Sequence, residues 1–198
     1  MYAGSRAESD GVGAELRELA AEDVDAVLGI YGDPKATEHL SFEPRSRDQV
    51  QQIVDRSMAS AVIQPRNEFA LGVIERGTGA LVGFGRLAMD PHQPRAATFG
   101  FALRPSAWGL GYGAELVALL LGLAFDDLGL HRVWGARSPL NEASARTMAK
   151  VGMVEEGRIR EHIEKAGVWR DSVVHSILER EWDSQRHMYD LSIENDRT

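Results

Sequence analysis

Apolar and polar positions change period along the chain often enough to mark its elements. Ala14–Leu19 alternates like a strand. Val24, Val27, Leu28 and Tyr31 then recur at helical spacing until Asp33-Pro34 interrupts them. A second helix is predicted from about Ser46, whose hydroxyl suits an N-cap, to Ile63, with Pro65 just beyond. Two strand-like runs within residues 68–89 flank Gly77-Thr78-Gly79, a hairpin signal, and a third strand covers about 97–104 before Pro105. A long apolar helix is predicted over about Tyr112–Leu128, stopped by Gly129. His131–Arg137 reads as a strand and residues 139–152 as a helix closed by Gly152. Residues 153–181 read as two strands joined around Lys165-Ala166-Gly167.

The resulting order, βααβββαβαββ, predicts an α+β domain. It has a central mixed, mostly antiparallel sheet of about seven strands, flanked by about four helices. One connection, through the long helix, is a parallel crossover. At 198 residues with 43% hydrophobic content the chain has the size of one domain with a substantial core. The domain is expected over residues 13–182, between a flexible leader (1–12) and a polar tail (183–198).

The strand-to-helix junction Trp108-Gly109-Leu110-Gly111-Tyr112-Gly113 carries the first chemical signal. Glycine is costly in regular structure, so three at alternate positions imply a backbone that is sharply bent or closely approached. Convergent N–H groups at a helix start form an anion site. A phosphate site and a structural bend are both consistent with the loop. It lacks the Lys-Ser/Thr pair of a P-loop. Read from Gly109 it satisfies G-x-G-x-x-A, which admits an NADP-binding oxidoreductase. Against that stand the short remainder of the chain and the next strand, which ends in Arg137 without an acidic residue.

A net charge of −8 argues against nucleic-acid binding and is compatible with a cationic partner such as an amine. No apolar run reaches the roughly 18 residues of a membrane span, so no membrane association and a cytoplasmic location are expected. With no cysteine, a thiolate nucleophile and cysteine-ligated metal are excluded, and no metal is expected.

Several ordered motifs together resemble the GNAT acetyltransferase superfamily, most nearly the branch that includes ribosomal-protein alanine N-acetyltransferases. They are Gly100-Phe101, Trp108-Gly-x-Gly-Tyr112, Asn141 with Ser144, Lys150-x-Gly152-Met153, Glu156-Gly157, and Gly167, Asp171, Glu181 and Trp182 near the end. The resemblance covers roughly residues 14–182 and implies a GNAT-like fold. It further implies acetyl-CoA as cosubstrate, a primary amine (a protein N-terminus or a small molecule) as acceptor, and a homodimer. Pantetheine would meet backbone groups of Phe101, Ala102 and Leu103, and the pyrophosphate would rest on Trp108, Gly109, Leu110, Gly111, Tyr112 and Gly113. Asn141 would anchor the cofactor arm. From the sequence alone it is equally an N-cap.

Without cysteine, direct transfer in a ternary complex is favoured, with a backbone N–H near Leu103 for the oxyanion. The superfamily's usual tyrosine acid is replaced by Met148 and its usual glutamate by Thr98. Ser144, one turn after Asn141, is the candidate on the thiolate side. For the base, Glu161 leads His162, His39 and Glu43, with a water chain as competitor. The replacements also keep open a non-catalytic CoA-binding domain.

Overall fold

The computed structural model describes residues 13–189. Its strands are β1 (Ala14–Glu18), β2 (Glu68–Glu75), β3 (Leu81–Met89), β4 (Ala96–Leu103), β5 (Arg132–Arg137), β6 (Val154–Lys165) and β7 (Val168–Leu178). They form one seven-stranded sheet in the order β1-β2-β3-β4-β5-β7-β6. Neighbours are antiparallel except β4 and β5, the parallel pair that the predicted crossover requires. The helices are α1 (Val24–Tyr31), α2 (Pro34–Thr37), α3 (Arg47–Ala61), α4 (Tyr112–Gly122), α5 (Glu142–Lys150) and α6 (Glu179–Gln185). Ser46 caps α3 as expected: its Oγ accepts from the Gln49 N–H, while Gln49 Oε1 accepts from the Ser46 N–H.

Each sheet face buries its own core because side chains alternate along a strand. Phe69, Leu71, Val73, Leu87, Phe99 and Val133 lie under α4, α5 and Trp182. Ala70, Ile74, Phe84 and Ala102 lie under α1 and α3. These are called the α4 face and the α1 face below.

Three features depart from the sequence reading. The long helix is α-helical only to Gly122 and continues as a π-helical turn, Leu123–Asp127, before Gly129 at φ +60°. Two short helices, α2 and α6, were not expected. The polar tail, expected from Asp183, begins inside α6: Trp182 is fully buried, stacked between Phe125 and Tyr189 at 6.3 and 5.9 Å. One aromatic anchor holds a segment whose other residues are nearly all polar, a pattern that hydrophobic periodicity does not detect. The expected leader, and the tail beyond 189, lie outside the described residues.

Candidate functional site

The parallel pairing of β4 with β5 is brief. Ala96, Ala97 and Thr98 pair with Arg132, Val133 and Trp134, and the strands then part. Gly135 sits at the fork, where a Cβ would stand 2.6 Å from the Phe99 ring, so only glycine lets that ring pack there. On its other edge β4 continues to pair with β3 through Leu103.

Antiparallel pairing decides which backbone groups face the fork. The Arg104 N–H donates to the Val82 carbonyl at 3.0 Å, and the Asp90 N–H to the Ala96 carbonyl at 2.8 Å. Even-numbered residues of β4 therefore turn their amides to β3. Phe101 and Leu103 turn theirs into the fork, where β5 no longer meets them. Ala102, expected alongside them, points its amide at β3 and its methyl into the α1-face core. The Leu103 carbonyl already accepts from Trp108 Nε1 at 3.1 Å.

Beyond β4 the chain enters the glycine loop. Gly109 and Gly111 have φ of +75° and +96°, which an L side chain rarely adopts. Gly111 is the N-cap of α4 without any side-chain cap. Among the described residues, no partner is found for the N–H groups of Gly109, Leu110, Gly111, Tyr112 and Gly113. These are the unsatisfied donors of a helix start, with the positive end of its dipole behind them. Gly113 serves differently, since its helical φ is ordinary and a Cβ there would touch Thr147 of α5 at 3.4 Å and Leu103 at 3.7 Å. Tyr112 points its ring away from the loop. Its buried hydroxyl donates to Glu75, fastening α4 to the β2–β3 hairpin, and that bond pushes the phenol pKa up.

Across the fork, Asn141 caps α5 through Oδ1, which accepts from the Ser144 N–H at 2.9 Å. Because Oδ1 makes this bond, Nδ2 is left as a donor. Ser144 is half-buried and its hydroxyl has no partner among the described residues. Met148 is 2% exposed within the α4-face core. Thr98 Oγ1 donates weakly to the Ala88 carbonyl at 3.4 Å. Arg137, which ends β5 where a dinucleotide-binding fold would carry an acidic residue, is turned inward with its side chain 10% exposed.

Glu161 is not brought to the fork. It is exposed on β6, in a shallow depression with Arg158, Ile159, Arg160 and Asp171. Its φ of +49° falls where the β6 register shifts, and its N–H donates to Asp171 at 2.9 Å. β7 separates it from β5, a displacement of about 10 Å at the usual strand spacing. His162 lies beside it, equally exposed.

On the α1 face, the β6–β7 hairpin reaches back over the fork. Buried Lys165 donates from Nζ to the carbonyls of Thr37 and Glu38 at 2.6 and 3.0 Å, and Arg170 donates to Glu38 at 3.3 Å. Since β4 and β5 lie between that hairpin and β3, under α1, this strap bridges the opening. Desolvation holds the lysine pKa below its usual range, although Glu43 opposes the shift. On the same face Trp134 donates to Asp90 at 3.2 Å, and Tyr31 packs edge-on against Phe42 and Phe84. Sequence reading passed over Lys165 as a turn residue because its partners lie more than 120 positions away. Among the described residues, no cluster of His, Cys, Asp or Glu could hold a metal, and no helix is long and apolar enough to cross a membrane.

This forked sheet with its glycine loop has known relatives. Residues 14–154 match the model of the acetyltransferase (GNAT) domain. The chain belongs to the GNAT family. YoaA of Bacillus subtilis (strain 168), named an uncharacterized N-acetyltransferase, is 25% identical over 164 residues, 82% of this chain and 92% of its own. YdaF of the same organism, named provisionally as a ribosomal N-acetyltransferase, is 30% identical over 125 residues, covering 61% and 68%. The spermidine N-acetyltransferase of Vibrio cholerae, solved with CoA and spermine, superposes with a TM-score of 0.74. It is 21% identical, covering 85% of this chain and 97% of that one, and shows the shared fold. This GNAT protein is an N-acetyltransferase.

Proposed function

We propose that the protein transfers the acetyl group of acetyl-CoA directly to a primary amine within a ternary complex. The observation that carries this reading is the pairing of two unsatisfied backbone surfaces. One is the fork-facing edge of β4 at Phe101 and Leu103. The other is the run of free N–H groups at Gly109–Gly113. Pantetheine adds to the first as a strand would, and the pyrophosphate rests on the second. The presence of CoA in the Vibrio cholerae relative agrees with this donor.

In this reading Asn141 Nδ2 donates to the cofactor arm, and the Leu103 N–H stabilises the oxyanion as the amine adds to the thioester. Collapse of the adduct breaks the C–S bond, and the Ser144 hydroxyl donates to the departing sulfur. Met148 has no ionisable group, the Thr98 hydroxyl is turned to the Ala88 carbonyl, and Glu161 stands two strands away. With Glu161 and the neighbouring His162 away from the fork, this reading assigns the amine's proton to water in preference to His39 or Glu43. Consistent with that, kcat/KM is expected to rise with pH until the acceptor is free base, near 7.7–8.0 for an α-amine.

The acceptor is a peptide N-terminus or a small-molecule amine; among the relatives, YdaF is named for the ribosome and the Vibrio enzyme for spermidine. The test is thiol release from acetyl-CoA, followed with a disulfide chromophore. The chain has no cysteine and contributes no background. Peptides beginning with Ser, Ala or Leu, spermidine, an aminoglycoside and free amino acids form the panel. Release above the amine-free control with one class supports the reading. Tight acetyl-CoA binding with a flat panel points to an acceptor outside the panel or to the non-catalytic CoA-binding alternative. Light scattering of the purified protein tests the homodimer.

A further inference from the structure

The loop that delivers Asn141 and Ser144 has little of its own to hold it. Ser138, Pro139 and Leu140 connect β5 to α5, and Leu140 is 78% exposed. Its own bonds are short-range: Ser138 accepts from the N–H groups of Leu140 and Asn141. What ties it to the sheet is Arg137. Nη1 donates to the carbonyls of Ser138 and Pro139 at 3.1 and 3.2 Å, Nη2 to Glu155 at 3.4 Å, and Nε to Nε2 of His175 at 3.1 Å. A planar guanidinium with three of its nitrogens engaged has a fixed orientation.

His175 sets that orientation from below. It lies on β7 opposite Gly135 of β5 and Glu155 of β6, on the α4 face, and is 4% exposed. A guanidinium cannot accept a hydrogen bond, so Nε2 must offer its lone pair and the ring proton must sit on Nδ1. Nδ1 has no partner among the described residues, so the ring's one protein hydrogen bond is the one to Arg137. Burial, and then the charge of Arg137, push the imidazole pKa down against the opposing pull of Glu155, and the net shift favours the neutral, accepting form.

We infer that Arg137 and His175 are positioning residues for the cofactor. His175 aims the Arg137 fork, and the fork fixes the loop at the height where Asn141 Nδ2 and Ser144 Oγ meet the acetyl-CoA arm. The inference rests on the proposed cofactor site and goes beyond it, because neither residue touches the cofactor.

Calorimetric titration of acetyl-CoA into the full chain, well below its melting temperature, separates the two claims and needs no acceptor. Arg137→Lys keeps the charge but loses the fork, and is expected to raise Kd about tenfold or more. His175→Leu removes the acceptor and should raise Kd several-fold, whereas His175→Gln retains an amide oxygen and should restore binding to within about twofold. A folded Arg137→Lys or His175→Leu protein that binds like the wild type overturns the inference, as does a lowered Tm with unchanged Kd. If Arg137→Lys does not fold, the Leu and Gln variants at 175 decide. Absence of binding by the wild type overturns the cofactor site itself, and this inference with it.

Discussion

At the scale of single residues, Asn141 separates structure from function most cleanly. Its oxygen caps α5 and leaves its nitrogen as a donor, so the cap does not conflict with the proposed cofactor contact. Aspartate caps about as well as asparagine but has no N–H to donate. Asn141→Asp should therefore change stability by no more than about 0.5 kcal/mol and weaken acetyl-CoA binding roughly tenfold. Denaturation and calorimetry on the same sample check both. Asn141 was legible in the sequence because its cap is local, three residues from its partner. The glycines at 109 and 111 were legible for the same reason, as punctuation that a positive φ requires. Arg137 was not, because its orientation depends on a histidine 38 positions away. Tyr112 opens α4 where the sequence predicts the long helix to begin, yet its side chain answers to Glu75 rather than to the loop.

At the scale of elements, periodicity identified every strand and most helices. It failed where stability comes from one contact. Trp182 is the case in point: the α6 sequence is polar apart from this residue, and its burial against Phe125 and Tyr189 could not be read from spacing. Trp182→Ala is expected to cost about 3–5 kcal/mol in urea denaturation. A loss under about 1 kcal/mol would mean that α6 is incidental to the fold. Glu161 marks a second limit. Alternation along β6 should have determined its face, but the register shifts between Ile159 and Ile163 break the period locally. The hairpin's strap to α2 was invisible for a related reason, since Lys165 finds its carbonyl partners only after the sheet has formed.

At the scale of the molecule, the brief β4–β5 pairing creates the fork, and long-range polar contacts brace its flanks. Beside it on the α1 face, Arg132 grips Glu156, whose second partner is Ser176. The guanidinium first, and the hydroxyl second, hold the Glu156 carboxyl at about 2, below its usual 4.5. A depressed acid stabilises the fold above its unfolded pKa and loses that contribution as pH falls through the folded one. Glu156→Gln should therefore be less stable than the wild type at neutral pH, by about 1 kcal/mol or less because the pair is partly solvated. The gap should close between about pH 4.5 and 2. Denaturation curves of both proteins across that range would show it, and a gap independent of pH would assign the loss to packing.

The central claim is direct transfer at the fork, and the initial rate of thiol release tests it when acetyl-CoA and an accepted amine are varied together. The account predicts reciprocal plots that intersect, with no acetyl group retained on the protein in the absence of amine. Parallel plots together with an isolable acetylated protein would contradict it.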